Sequence, residues 1–120
     1  MLEDSQPEKP AVLVLSLHGG QVEKQVLAGI EEEGVPSVLE RARGRDDAVV
    51  LANLAAERSS LSVGVGIDSA GRVCVNHSQL AEPLTELTSG EAADPAVARM
   101  LGHNAARIVV GVPLRTGVRS

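Results

Sequence analysis

The stretch that decides the fold is AVLVLSLHGGQVEKQVLAGIEEEGVPSVLE, residues 11–40. Ala11 to Leu17 is a short run rich in Val and Leu, closed by Gly19-Gly20. Such a run suits a strand covered on both faces. Val22, Val26 and Ile30 then recur at four-residue spacing, with Glu23, Lys24 and Gln25 between them. That spacing predicts an amphipathic helix, which Gly34 ends as its C′ residue. Val35 to Leu39 offers a second strand. A strand–helix–strand unit of this size defaults to a right-handed parallel crossover.

The same alternation continues downstream. Asp46 or Asp47 can cap a second helix, whose inward stripe is expected at Val50, Leu51, Leu54 and Ala55. In LSVGVGI, residues 61–67, Val63, Val65 and Ile67 occupy alternate positions, a strand signal. Asp68-Ser69-Ala70-Gly71 reads as a turn, and Arg72 to Val75 as an antiparallel return. A third strand of this meander is expected at about Leu84 to Thr88. Asp94-Pro95 opens a last helix, with Asp as cap and Pro at the first helical position. Val97, Leu101, Ala105 and Ile108 form its stripe, and Gly111 with Pro113 stops it. The expected architecture is α/β, a mixed sheet with helices on its faces. Residues 1–10 read as a disordered lead-in, 11–115 as one domain and 116–120 as a tail.

Composition narrows the function. The chain has 120 residues, a net charge of -5 and no Phe, Tyr or Trp. An acidic chain without aromatic rings lacks both the basic surface and the stacking platforms of nucleic-acid binders. A single cysteine, Cys74, allows no internal disulfide or thiolate metal cluster. That usage, an acidic start and the lack of a 20-residue apolar run predict a cytosolic protein without a membrane segment. Charge is uneven: after Asp94 no carboxylate side chain appears, while Arg99, Arg107, Arg115 and Arg119 do.

Catalytic signals are weak. His18-Gly19-Gly20 sits at a strand-to-helix turn, but no phosphate-loop GKS or GKT follows, and no GxSxG occurs. Gly64-Val65-Gly66 lies inside a strand, where dinucleotide glycines do not belong. Cys74 reads as a buried thiol and His77 as a loop residue. No catalytic or cofactor-binding residue is assigned. The informative feature is Glu31-Glu32-Glu33 in the last turn of the first helix. Backbone carbonyls already present negative potential there, so each exposed acid is unfavourable by roughly 0.3–1 kcal/mol. Glu31 and Glu32 point away from the apolar stripe and Glu33 falls near it. The run is either a solvated helix end or a site awaiting a cation: a partner's Arg or Lys, or a hard divalent ion such as Mg²⁺ or Ca²⁺. Its use is therefore expected outside the monomer. Asn104, Ala105 and Ala106 are small or polar, which admits either close internal packing or another helix.

Two segments, GIEEEGVP (residues 29–36) and GHNAARIVVGVP (residues 102–113), together with LSVGVGI, resemble the small subunit of the diol and glycerol dehydratase reactivases. The resemblance runs from about Ala11 to Arg115. It implies a three-layer α/β/α fold with a five-stranded mixed sheet, order 2-1-3-4-5, strand 4 antiparallel. It also implies a non-catalytic subunit that pairs with a large actin-like ATPase subunit and exchanges with the medium subunit of an adenosylcobalamin-dependent dehydratase, releasing damaged cobalamin. Glu32 matches the acid that contributes to a Mg²⁺ or Ca²⁺ site shared with the large subunit, so Glu31, Glu32 and Glu33 are expected at the partner interface. No cofactor is expected in the isolated chain, and the setting is cytoplasmic, with bacterial microcompartment association as one expectation. The alternatives are a structural medium subunit of the dehydratase itself, or a stand-alone regulatory homo-oligomer.

Overall fold

A computed structural model describes residues 10–80 and 84–115; the expected lead-in and tail lie almost wholly outside them. The elements follow the order β1 (Val12–Ser16), α1 (Gln21–Glu32), β2 (Ser37–Arg41), α2 (Ala48–Arg58), β3 (Val63–Ile67), β4 (Val73–His77) and α3 (Pro95–Val110). The sheet order is β2-β1-β3-β4, with β1 parallel to β2 and β3 and with β4 antiparallel to β3. The expected reversal of the fourth strand is present. Asp68 builds the turn that makes it, its carboxylate accepting from the amides of Ala70 and Arg72 and from Arg72 Nε, all at 3.0 Å.

The described residues hold four strands, not five. Where the third meander strand was expected, Thr85–Leu87 is a 3-10 turn, and only Thr88 bridges Cys74. The turn carries Leu87 into the core, where it is 1% exposed. Ser89 then closes the sheet edge: its hydroxyl accepts from Val73 N, and its amide donates to Val73 O. Burying Leu87 and bonding Ser89 bends the chain away from an extended fifth strand.

Period-two alternation in the strands sends side chains to opposite faces. Val12, Val14, Val63, Val65, Val73 and Val75 face α1 and α3, forming the main core with Val26, Ile30 and Leu101. Leu13 and Leu15 face the other way, onto Leu51 and Ala55 of α2. The result is a three-layer sandwich, two helices on one face and one on the other. Asp94 and Asp47 cap α3 and α2 as expected, accepting from Val97 N at 2.9 Å and Val50 N at 3.0 Å. The stripe of α2 departs from expectation: Leu51, Ala52, Ala55 and Ala56 are buried, whereas Val50 and Leu54 are exposed. The cause is on β3. A methyl group built on Gly64 would lie 2.5 Å from Ala55 Cβ, and one on Gly66 2.5 Å from Ala52 N. The helix lies so close to β3 that its alanines sit over the glycines, Leu51 packs beside them on Leu13 and Leu15, and Val50 and Leu54 turn outward.

Candidate functional site

The acid run sits where α1 ends against α3. These helices approach closely because both carry glycine at the crossing. A methyl group on Gly29 would lie 2.9 Å from His103 N, and one on Gly102 would run into the Val26 carbonyl, 3.0 Å from its carbon. Such distances leave no room for a side chain. Leu101 to Ala106 are all buried: Ala105 and Ala106 lie in the main core, and Asn104 holds the chain beyond the helix, donating to Arg115 O at 3.1 Å and accepting from Arg115 N at 2.7 Å, so the small residues of α3 serve internal packing.

The close crossing places a basic ladder of α3, Arg99, His103 and Arg107, along the acidic end of α1. Arg99 grips Glu32 through Nε (3.0 Å) and Nη2, and donates from Nη1 to Gln25 Oε1 at 2.6 Å. His103 lies between two carboxylates, Nε2 2.8 Å from Glu32 Oε1 and Nδ1 2.7 Å from Glu33 Oε2. Arg107 Nε donates to Glu33 Oε2 at 2.8 Å. The hydrogen bond from Arg99 is the main cause that brings the Glu32 carboxyl down to about 2. Hydrogen bonds from His103 and then Arg107 lower Glu33.

Glu31, by contrast, is exposed; its carbonyl accepts from Gly34 N at 2.9 Å, but no described hydrogen bond or ion pair engages its carboxylate. The expectation that all three acids serve only outside the monomer is therefore corrected for Glu32 and Glu33. Cations of α3 offset the repulsion and the negative end of the helix dipole. The signal was present as Arg99, His103 and Arg107 at four-residue spacing, one helical face.

What the site can do chemically is limited. Among the described residues no group of three or more His, Cys, Asp or Glu could hold a metal ion. A hard divalent cation takes six or more oxygens. With its oxygens already accepting from Arg99 and His103, Glu32 could offer one carboxylate to a shell completed by another chain. Among the described hydrogen bonds none joins a Ser, Thr or Cys side chain to a histidine ring. Cys74 is fully buried, and burial, aided by the nearby Asp47 charge, pushes its thiol up to about 12. His77 ends β4, its Nδ1 accepting from Gln79 N at 3.0 Å.

A second ion pair marks the other end of α1. Glu23, 8% exposed, accepts from Arg41 Nη1 at 2.6 Å and Nη2 at 3.2 Å. Burial alone would raise its carboxyl, but the hydrogen bonds of Arg41 and Ser16 outweigh this and lower it. This pair ties β2 to α1 and was not foreseen from sequence.

The chain is thus a three-layer α/β domain with a helix-end ionic clasp and, among the described residues, no assembled catalytic group. The family described as dehydratase medium subunit matches residues 9–115, and the chain belongs to that family. Its relatives include the propanediol dehydratase-reactivating factor small subunit of Citrobacter freundii, 38% identical over 88% of this chain and 90% of the relative. The probable glycerol dehydratase-reactivating factor small subunit of the same organism is 35% identical, over 79% and 81%. The propanediol dehydratase-reactivating factor small subunit of Salmonella typhimurium is 34% identical over 93% and 96%. Among solved structures, a glycerol dehydratase reactivase superposes with a TM-score of 0.80 at 33% identity, covering 89% of this chain and 97% of that one. A diol dehydratase-reactivating factor complexed with ADP and Mg²⁺ gives 0.76, also at 33% identity, over 90% and 99%. No helix among the described residues is long and apolar enough to cross a membrane.

Proposed function

We propose that the chain is the non-catalytic small subunit of a factor that reactivates an adenosylcobalamin-dependent diol or glycerol dehydratase. In this reading it pairs with a large subunit, an actin-like ATPase where nucleotide turnover resides. It exchanges with the medium subunit of the dehydratase and so opens a path for damaged cobalamin. The observation that carries the reading is likeness over nearly the whole domain to reactivating-factor small subunits, in sequence and in fold. The match to the dehydratase medium-subunit family favours the exchange, because two proteins of one fold can occupy one seat. The same match supports the second reading, a structural medium subunit of the dehydratase.

The acid run is the proposed docking patch. Glu31 is free to meet a partner's cation, and Glu32, still 44% exposed at its side chain, is the carboxylate that a Mg²⁺ or Ca²⁺ ion held mainly by the large subunit would reach. The isolated chain needs no cofactor. Its setting is the cytoplasm, with a dehydratase-bearing microcompartment as the finer proposal.

Reconstitution tests the function. A dehydratase inactivated with a damaged cobalamin is mixed with large subunit, ATP, Mg²⁺ and fresh cofactor, with and without this chain. Recovery that requires the chain, with free medium subunit appearing, is the expected result. Equal recovery without the chain would sink the reading, and stable incorporation of the chain into active dehydratase would favour the second one. Calorimetry of the chain with the large subunit, with and without chelator, tests the ion: Glu32→Gln should abolish any chelator sensitivity.

A further inference from the structure

The three acids of the run differ in how far the chain itself already uses them. Glu31 is exposed and unpaired among the described residues. Glu33 is held at depth: its side chain is 17% exposed, and Oε2 faces both His103 Nδ1 and Arg107 Nε. Glu32 stands between these extremes. Its side chain is largely open to solvent, yet both of its oxygens are occupied. Oε1 accepts from Arg99 Nε and lies beside His103 Nε2, and Oε2 accepts from Arg99 Nη2.

That fork is a competitor. A guanidinium covers both oxygens of a carboxylate at once, a hard divalent ion is held through the same oxygens, and two cations on one carboxylate repel each other. The Arg99 side chain is 37% exposed, and an ion pair this open to water is weakly held. Arg99 also has a second seat. Its Nη1 donates to Gln25 Oε1, about two turns earlier on α1, and that contact does not depend on Glu32.

We propose that Arg99 is a latch on the docking patch: in the free chain it sits on Glu32 as an internal stand-in for the ion that the large subunit brings, and docking turns the guanidinium off Glu32 to rest on Gln25 alone. The proposal rests on the reading of Glu32 as the carboxylate that meets that ion, and it adds the regulation of that site. A site that is competent only when the latch is open binds with its intrinsic affinity reduced by the open fraction. The free chain therefore presents a neutralised Glu32 and releases it only against the partner.

Calorimetry of the full-length chain with the large subunit in Mg²⁺ tests the latch. Arg99→Gln removes the fork and keeps a polar group beside Gln25; circular dichroism will show that it folds. It should tighten binding by about threefold or more, the scale of an exposed ion pair relieved of competition, while lowering the melting temperature of the isolated chain. Opposite signs are the signature, since a residue that only supports the fold would lower both. In a Glu32→Gln background the same substitution should leave affinity unchanged, because no carboxylate remains to unlatch. Unchanged or weaker binding by Arg99→Gln in the chain that keeps Glu32 would overturn the proposal. Equal tightening in both backgrounds would overturn it too, as a general effect of removing a positive charge. If Glu32→Gln alone binds as tightly as wild type, with and without chelator, the reading of Glu32 as the docking carboxylate fails, and the latch fails with it.

Discussion

The two faces of the sheet solve the same packing problem with different outcomes. On one face α2 lies on β3, its alanines seated over Gly64 and Gly66. On the other, α1 crosses α3 at Gly29 and Gly102. Glycine permits close approach in both, because a missing side chain lets backbone meet backbone. Only the second approach brings charged side chains into line. Beside the α2 contact stands one exposed pair, Arg58 with Glu40 at 2.8 Å. At the α1–α3 crossing five side chains form a connected clasp. A tight crossing of two helices thus yields a site, whereas a helix pressed on a sheet yields only a core.

The largest effect comes from filling each close contact. Gly64→Ala and Gly102→Ala should each lower stability by ~1–3 kcal/mol or more, since the added methyl meets backbone that cannot yield. Chemical denaturation measures both. The comparison sharpens if their consequences differ: Gly102→Ala should also spread the clasp and bring the Glu32 carboxyl back toward its ordinary range, while Gly64→Ala leaves it unchanged. Titration of the Glu32 carboxyl by NMR would distinguish them, and identical shifts in both variants would break the comparison.

An intermediate effect concerns the clasp alone. Glu32 has its folded-state carboxyl lowered from 4.5 to about 2. A lowered carboxyl contributes stability above its unfolded value, and that contribution is lost as pH falls through the folded value. Glu32→Gln should therefore melt below wild type at pH 5 to 7, with the gap closing between about pH 4.5 and about pH 2. Added salt should narrow it, because the pair is exposed. Melting curves that coincide at neutral pH would show that the clasp contributes nothing.

The smallest effect belongs to the α2 face. Asn76 is buried, donating to Asn53 Oδ1 while its own Oδ1 has no partner among the described residues. An unsatisfied buried oxygen costs free energy, so Asn76→Leu should change stability by less than about 1 kcal/mol, toward the favourable side. A marked loss in calorimetric melting would show that the Asn76–Asn53 bond matters more than the orphaned oxygen.

Local patterns carried most of the architecture. Val63, Val65 and Ile67 at alternate positions set the strand, and Asp94-Pro95 and Asp47 set helix starts, because alternation and capping depend only on near neighbours. The docking face of α2 was misread because Val50 and Leu54 look like core residues, and nothing nearby says that β3 opposite is glycine-lined. The fifth strand failed for a similar reason: Leu84 to Thr88 is compatible with a strand, but long-range burial of Leu87 and the Ser89–Val73 bonds win.

Local patterns in the chain suffice for an α/β domain with a reversed fourth strand and an acid-ended first helix, and its motifs resemble those of the reactivase small subunits. What the acids do within the chain depends on long-range packing. Glu32 lies 67 positions from Arg99, and Glu33 lies 70 from His103 and 74 from Arg107. No local pattern relates residues so far apart. The Gly29–Gly102 crossing brings them together, because only there can two helix backbones come close enough for the ladder of one to meet the acids of the other.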